Sequence, residues 1–228
     1  MSDDQIPAVD EQTLRSNVFK AVRELQVQLN EYRNHAKKPP IFLIGDTAPQ
    51  IPNEQLEGCK LLSNRDLVLN DIPKGSVGVE VGTQFGWFAR KLLDVIQPKS
   101  LHLIDITFER FERAKFQNEL TSQQLKLWEG TSWEVLDSSY ADRSLDFIYI
   151  DAGHSYDAVS RDLEVAIRKI KRGGLITCND YVPWSIMEAT PYGVHRAVSE
   201  TIVAHKCVVT HYALHNMGYN DIAFKLPD

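Results

Sequence analysis

Residues 76–90, SVGVEVGTQFGWFAR, decide the fold of this chain. They begin with valines at every second position, Val77, Val79 and Val81, as expected of a short buried β-strand. Gly82 ends the apolar run. After it, apolar residues recur at the spacing of one helix face: Phe85, Phe88, Ala89, Leu92, Leu93 and Ile96. The stretch therefore predicts a strand, a tight turn and a helix in immediate succession.

Two glycines, Gly82 and Gly86, mark the predicted turn. Gly82 can adopt a positive φ and lets a ligand approach the backbone, and Gly86 lets the first helical turn lie close to the strand. A turn of this kind at the carboxyl edge of a parallel sheet is typical of a small-molecule site. The alternative without a ligand is a core strand that glycines merely interrupt.

The glycine spacing argues against two common nucleotide sites. Dinucleotide-binding folds carry G-x-G-x-x-G, whereas three residues separate Gly82 from Gly86 here. The chain also lacks the G-x-x-x-x-G-K-[ST] motif of nucleoside triphosphatases. Glu80 stands two residues before Gly82, where a carboxylate at the strand end can meet a cationic ligand.

The pattern E-x-G-x-x-x-G resembles the first motif of the class I S-adenosylmethionine-dependent methyltransferases. Their cofactor carries an amino-acid head and a positive sulfonium. The resemblance implies that Glu80, Gly82, Thr83 and Gly86 bind S-adenosylmethionine. It also implies a three-layer Rossmann-like α/β fold with a mostly parallel seven-stranded sheet, in strand order 3-2-1-4-5-7-6, whose last strand is antiparallel.

Composition and charge favour one globular α/β domain with an extension. The chain has 228 residues, of which 43% are hydrophobic, enough to bury a full core. Its formal net charge of -6 argues against a nucleic-acid backbone as the main partner. Its 3 cysteines are scattered without a C-x-x-C pair, which favours reduced thiols. No apolar run is long enough for a membrane span, and the polar first residues do not resemble a secretory signal. We therefore expect a cytoplasmic protein that binds neither nucleic acid nor membrane.

A long amphipathic helix is predicted for residues 11–37, with Pro39 and Pro40 ending the pattern. Its apolar residues step by four or three positions: Leu14, Val18, Val22, Leu25, Leu29 and Tyr32. Such a stripe packs on the core or on a second subunit, which would give a homo-oligomer, and a functional lid is the alternative. We assign residues 1–72 to an N-terminal tail and helical extension, and residues 73–228 to the adenosylmethionine-binding catalytic domain.

From residue 76 onward, apolar strands alternate with helical patterns. Strands are predicted at 76–81, 101–106, 124–129, 145–151 and 174–179, and helices at 85–96, 107–120, 131–137, 156–171 and 191–204. This alternation is typical of a parallel sheet covered on both faces. Two further strands, 207–213 and 221–226, have no helical pattern between them and are expected to form an antiparallel pair.

An acid closes the second predicted strand, LHLIDI at residues 101–106. Asp105 follows the glycine turn at a spacing close to that of the acids that receive ribose hydroxyls in nucleoside-binding α/β folds. The methyltransferase resemblance implies the same role, and a helix cap is the alternative. The resemblance further implies that Gly130, Thr131 and Ser132 surround the adenine, although Thr131 stands where many relatives carry an acid.

Polar side chains also follow the fourth and fifth predicted strands. Asp151 comes directly after the buried residues 147–150, and Asn179 and Asp180 follow the fifth strand. Adjacent parallel strands end at the same edge of a sheet, so these three residues are expected to converge. The arrangement resembles the metal-dependent O-methyltransferases, both the catechol type and the sugar-modifying type of antibiotic biosynthesis. The resemblance implies that Asp151, Asn179 and Asp180 bind a divalent ion, for which Mg²⁺ suits the oxygen ligands, with Ca²⁺ or Mn²⁺ as alternatives.

The same relatives carry a basic residue three positions after the first acid, and here it is His154. The resemblance implies that Asp151 and His154 are catalytic and that Asp151 also contacts the cofactor. His154 would be the general base for a hydroxyl held by the metal. An N-terminal cap of the following helix is the alternative for His154. Four residues after the fifth strand are candidates for the acceptor pocket: Tyr181, Trp184, Tyr192 and His195.

Together the motifs predict an enzyme that transfers a methyl group from S-adenosylmethionine to a hydroxyl group of a small molecule, with a divalent metal. Two alternatives stay open. One is a metal-independent N- or O-methyltransferase, and the other is a non-catalytic nucleoside-binding or interaction module.

Overall fold

The computed structural model describes residues 10–227, and the predicted polar tail at residues 1–9 lies outside them. The chain forms two compact units, which divide between Leu43 and Ile44. This division differs from the predicted boundary after residue 72, because residues 44–72 belong to the unit that contains the sheet. None of the described helices combines the length and the apolar character that a membrane crossing requires.

Eight strands of the second unit form one mixed sheet. They are β1 (Lys60–Leu62), β2 (Val77–Val81), β3 (Ser100–Asp105), β4 (Leu125–Glu129), β5 (Leu145–Ile150), β6 (Ile170–Cys178), β9 (Val208–Ala213) and β10 (Asp221–Lys225), while β7 (Trp184–Ser185) and β8 (Thr190–Pro191) pair separately. The strand order of the eight-stranded sheet is β1-β9-β10-β6-β5-β2-β3-β4. β10 is antiparallel to β6 and β9, and the other pairs are parallel. The mostly parallel α/β sheet with an antiparallel last strand is therefore confirmed.

Counted from β2, the seven predicted strands lie in the order 3-2-1-4-5-7-6, and β1 adds an eighth strand. The first strand predicted from the sequence begins at residue 76, so β1 was missed and the predicted count of seven was too low. β1 has three residues and lies at the sheet edge beside β9. A strand of this length is too short to show a periodic pattern, which explains why it was missed.

Helices cover both faces of the sheet. They are α2 (Trp87–Ile96), α3 (Gln117–Thr121), α4 (Ser132–Ser139), α5 (Tyr156–Lys169) and α6 (Val194–Ala204), with a 3₁₀ helix at Arg65–Asp71. One buried cluster joins α4, α5 and α6 to the sheet, and a second joins α2 and the 3₁₀ helix to it. Ile148 and Ile150 of β5 belong to the first cluster, and Phe147 and Tyr149 to the second. Burial on both faces explains why β5 reads as a continuous apolar run.

The turn between β2 and α2 requires glycine at both predicted positions. Gly82 has a φ of 84°, and a Cβ there would lie 1.9 Å from the carbonyl oxygen of Asp151. Gly86 precedes α2 with a φ of 88°, and its Cβ would lie 2.5 Å from the ring of Phe111. Gly86 thus makes room for an aromatic ring, a contact that the sequence did not predict.

The helix predicted at residues 107–120 is replaced by shorter elements. The chain forms a 3₁₀ helix at Arg113–Phe116 and then the short α3. Phe108, Phe111 and Phe116 are all buried in the cluster that includes α2. Their separations of three and five residues do not fit one helix face, so burying all three rings overrides the helical pattern.

The helix predicted at residues 156–171 ends at Lys169, and β6 begins at Ile170. The pairing with β5 shifts register between Ile170 and Leu175. Residues 171–174 therefore form a bulge, and a Cβ on Gly174 would lie 2.9 Å from the carbonyl oxygen of Asp146. Gly174 thus lets the bulged strand pack against β5.

The first unit contains α1 (Glu11–Ala36), whose N-cap Asp10 accepts a hydrogen bond from the backbone N–H of Thr13. None of its side chains is buried. Five of the six stripe residues follow a heptad spacing of four and three: Val18, Val22, Leu25, Leu29 and Tyr32. This spacing is typical of helices that pair along one seam, so we propose that a second copy of the chain covers the stripe.

Substitution of Val22 and Leu25 by Asp tests this proposal. Aspartates in the stripe would be buried at the dimer interface without an opposite charge, which is unfavourable. We therefore expect the double variant to be monomeric and the wild-type chain dimeric. Size-exclusion chromatography with light scattering measures the two masses. Val27→Asp is the matched control, because Val27 is exposed on α1 outside the stripe and its variant is expected to remain dimeric. A monomeric wild-type chain would contradict the proposal.

Candidate functional site

A cavity of about 600 Å³ lies at the carboxyl ends of β2, β3, β4 and β5. The predicted cofactor residues that line it are Glu80, Gly82, Thr83, Asp105, Gly130, Thr131, Ser132 and Asp151. The predicted general base His154 lines it too. Gly86 instead borders a smaller hollow of about 170 Å³ beside Trp87 and Phe116. The structure thus brings eight of the nine predicted cofactor residues to one cavity.

Asp105 organises the glycine turn. Its Oδ2 accepts hydrogen bonds from the backbone N–H groups of Thr83 at 2.8 Å and Gln84 at 2.9 Å. Its Oδ1 has only a long contact of 3.4 Å with the backbone N–H of Thr107. No helix begins at Thr107, so the helix-cap alternative for Asp105 was wrong. One carboxylate oxygen holds the turn, and the other remains available for a ligand on the cavity wall.

Three buried polar atoms on the cavity wall lack a hydrogen-bond partner within residues 10–227: Oε2 of Glu80, Oγ1 of Thr83 and Nε2 of His154. Glu80 is only 1% exposed. Its burial, together with the nearby Asp151, holds the pKa of its carboxyl well above the ordinary value. Leaving such atoms unpaired is costly, which fits a wall that is completed by a bound molecule with hydrogen-bond donors.

Ser132 and Asp162 form a second polar pair on this wall. The hydroxyl of Ser132 donates to Oδ1 of Asp162 at 2.5 Å. Burial raises the pKa of Asp162 to about 6. Sequence reasoning missed Asp162, although a signal was present: it lies three residues after Val159 and one before Leu163, on the buried face of α5. An acid inside an apolar stripe indicates a polar environment inside the fold.

A guanidinium enters the site from the 3₁₀ helix. Nη1 of Arg65 donates to the side-chain oxygen of Asn179 at 3.1 Å and to the hydroxyl of Tyr149 at 3.1 Å. It also lies 3.5 Å from Oδ2 of Asp151. The Tyr149 hydroxyl in turn donates to Asp221 at 2.7 Å. Sequence reasoning missed Arg65, because an arginine before the first strand carries no motif of its own.

The predicted metal ligands do not fit a divalent ion. Because Arg65 donates to the oxygen of Asn179, the amide nitrogen of Asn179 faces Asp151 and donates to its Oδ1 at 2.9 Å. Asp180 has a φ of 54° and approaches His154 instead, with Oδ2 3.4 Å from Nε2. The part of the chain that the structure describes contains no cluster of three His, Cys, Asp or Glu side chains able to hold a metal. The predicted magnesium site is therefore not supported, since a fixed cation already engages two of its three ligands.

His154 lies on the cavity wall between Tyr192 and Asp180. Its ring stacks on Tyr192 with centroids 4.3 Å apart, and its carbonyl oxygen accepts from the backbone N–H of Gly193 at 2.8 Å. The N-cap of α5 is Ser155, whose side chain accepts from the backbone N–H of Ala158. The helix-cap alternative for His154 was therefore wrong, and its imidazole remains available for chemistry.

The four predicted acceptor residues do not line the cavity. Tyr192 is buried behind the His154 ring. Tyr181 shares a hydrogen bond of 2.6 Å with Ser199 and packs beside His195. Trp184 belongs to β7 and pairs with Pro191. Tyr192 stacks directly on the cavity residue His154 and so reaches the site through that ring.

Comparisons with known proteins agree on the kind of domain. A family model described as a methyltransferase domain matches residues 79–181, from β2 to just beyond β6. An S-adenosylmethionine-dependent methyltransferase of Aquifex aeolicus aligns with a TM-score of 0.53 at 16% identity, over 71% of this chain and 87% of that one. No curated protein matches the sequence.

Two further solved structures share the fold. An N-methyltransferase of Bradyrhizobium japonicum, solved with S-adenosylhomocysteine, aligns with a TM-score of 0.53 at 16% identity, over 72% of this chain and 84% of that one. A tRNA methyltransferase of B. subtilis aligns with a TM-score of 0.52 at 18% identity, over 73% of this chain and 67% of that one. At these identities the structures show the fold alone, and the family match is confined to residues 79–181 of the 228-residue chain.

Asp162→Asn tests the buried acid. The folded chain keeps the Asp162 proton up to about pH 6, whereas the unfolded chain loses it near the ordinary value of 3.8, so the free energy of unfolding falls as pH rises between the two. Asn cannot ionise, so the variant gains up to roughly 3 kcal/mol relative to wild type between about pH 4 and pH 7. Denaturant unfolding at both pH values measures this. Glu164→Gln, on the exposed face of α5, is the control, and an equal pH dependence of Asp162→Asn and wild type would refute the assignment.

Proposed function

We propose that this chain transfers a methyl group from S-adenosylmethionine to a hydroxyl group of a small molecule, with His154 as the general base. The observation that carries the proposal is the composition of one cavity wall. This wall contains the glycine turn and the imidazole of His154. It also presents oxygens of Glu80 and Thr83 that have no partner among the described residues, and the carboxylate of Asp105, of which one oxygen is hydrogen-bonded to the turn.

The residues that would hold S-adenosylmethionine follow from the cavity wall. Oδ1 of Asp105 suits the ribose hydroxyls, because a carboxylate oxygen accepts from O–H donors. Oε2 of Glu80 suits the ammonium group of the amino-acid end. Ser132 and Asp162 offer polar atoms for the adenine. Bound S-adenosylmethionine supplies an electrophilic methyl group on a positively charged sulfur. The fold-related N-methyltransferase solved with S-adenosylhomocysteine supports a ligand of this kind.

The proton of the acceptor hydroxyl needs a recipient as the oxygen bonds to the methyl carbon. Nε2 of His154 has no hydrogen-bond partner of good geometry among the described residues, although Oδ2 of Asp180 lies 3.4 Å away. The proton moves to Nε2, and the nearby carboxylate stabilises the imidazolium until solvent removes the proton. Stacking on Tyr192 keeps the ring in place during this exchange.

The charge of the protein favours a small acceptor over a nucleic acid. One fold-related structure is a tRNA methyltransferase. This chain has a formal net charge of -6, and the cavity is lined by four carboxylic acids: Glu80, Asp105, Asp151 and Asp162. Acids that line a cavity disfavour phosphate groups, so we propose a small molecule without phosphate groups as the acceptor.

Isothermal calorimetry with S-adenosylhomocysteine, followed by product analysis with phenols, sugars and amines, tests the proposal. We expect saturable binding and a gain of one methyl group on a hydroxyl. Because Arg65 engages the predicted metal ligands, we expect EDTA to leave turnover unchanged. Turnover that EDTA abolishes and Mg²⁺ restores would support the metal-dependent alternative, and binding without any product would support the non-catalytic module.

His154→Gln tests the general base. Gln cannot accept the proton, so we expect kcat to fall by about 10²- to 10⁴-fold while the affinity for S-adenosylhomocysteine stays unchanged. Steady-state kinetics and calorimetry measure the two quantities. His205→Gln is the control, because His205 is exposed at the end of α6 and its loss leaves the site intact. Unchanged kcat in His154→Gln would refute the catalytic assignment.

A further inference from the structure

The cavity wall carries an uneven distribution of charge. Its described lining includes four carboxylic acids and, apart from His154, a single basic side chain, Arg65. A ligand with a negatively charged group can therefore place that group favourably at one position only. Elsewhere on the wall, carboxylate groups meet carboxylate groups, and their charges repel.

Arg65 has unused hydrogen-bonding capacity. A guanidinium carries five N–H donors, and the contacts of Arg65 with Asn179, Tyr149 and Asp151 are all made through Nη1. Within residues 10–227, no group accepts a hydrogen bond from its Nη2 or Nε. The side chain is 32% exposed, and the residue lines the cavity. We call the Nη2 and Nε side of the guanidinium the free edge of Arg65. An arginine that served only to neutralise the buried acids would not need it.

The free edge is also held in place. The guanidinium lies over the ring of Phe88, 4.5 Å from its centroid, and Phe88 packs on Tyr149 with ring centroids 4.2 Å apart. Tyr149 is itself anchored by its hydrogen bond to Asp221. Because folding already orders the guanidinium, a ligand that binds it pays little additional side-chain entropy.

We propose that the free edge of Arg65 binds the carboxylate of the amino-acid end of S-adenosylmethionine through paired hydrogen bonds from Nη2 and Nε. The proposal rests on the proposed function. A planar guanidinium edge matches a carboxylate in a bidentate arrangement. The unpartnered Oε2 of Glu80, on the same wall, suits the neighbouring ammonium group. The wall thereby sorts the two charged groups of the amino acid and sets the orientation of the whole ligand.

The test compares two ligands that differ only in this carboxylate. S-adenosylhomocysteine has it, and decarboxylated S-adenosylhomocysteine keeps the amine but lacks it. By calorimetry, we expect the wild-type protein to prefer the first ligand by about 10- to 100-fold, the range expected of charged hydrogen bonds. Arg65→Gln should bind S-adenosylhomocysteine weaker by a similar factor and bind the two ligands about equally. Arg65→Lys, which keeps the charge but not the planar edge, should retain part of the preference.

Lys91→Gln is the matched control. This variant also removes a positive charge, because exposed Lys91 pairs with Asp66 of the 3₁₀ helix, but Lys91 does not line the cavity. The full preference for S-adenosylhomocysteine over its decarboxylated form should therefore remain. A wild-type protein that binds both ligands equally would overturn the proposal without any variant. So would an Arg65→Gln variant that binds both ligands weaker by the same factor, because that result indicates a structural role. If S-adenosylhomocysteine does not bind the wild-type protein at all, the proposed function fails, and this proposal fails with it.

Discussion

The close contact between the glycine turn and the end of the neighbouring strand is the constraint on which the site depends. The backbone N–H of Gly82 donates to Ile104 of β3 at 2.8 Å, and the N–H of Asp151 donates to Val81 of β2 at 2.7 Å. The turn is thus held between β3 and β5, with no space for a Cβ at Gly82. Because three strand ends meet at this point, Asp105 and Asp151 face one cavity from opposite sides of the turn.

The electrostatic balance of the cavity follows from that geometry. Strand ends that converge bring acids together, and burial raises the pKa of Asp151 and of Asp221, the latter to about 7. Arg65 provides a positive charge beside these acids, and its hydrogen bonds to Tyr149 and Asn179 hold that charge in place. The positive charge of the half-buried Arg65 offsets part of the repulsion among these acids. The same compensation explains why the predicted ligands are not free for a metal ion.

The sequence predicted the residues that lie at the ends of strands. It did not predict which side chains contact each other across the site. Glu80 and Asp105 were found because strands end at predictable points and parallel strands share an edge. Asn179 and Asp180 were expected to bind one metal ion, but Asn179 is hydrogen-bonded to Arg65 and Asp151, and Asp180 lies beside His154. Arg65 approaches from a 3₁₀ helix that precedes the sheet, and no periodic pattern connects it to Asp151. The helix predicted at residues 107–120 failed for a related reason, since its aromatic rings pack against the glycine turn and α2.

The segment between β6 and α6 supports His154, the proposed base, on the cavity wall. Gly193 donates its backbone N–H to the carbonyl oxygen of His154, and a Cβ there would lie 2.1 Å from the backbone nitrogen of Tyr156. The start of α6 and the loop before α5 are therefore packed as one piece. Since the adjacent Tyr192 stacks on the His154 ring, any shift of this segment would move the imidazole with it. Of the four residues predicted to recognise the acceptor, Tyr192 thus positions the proposed base.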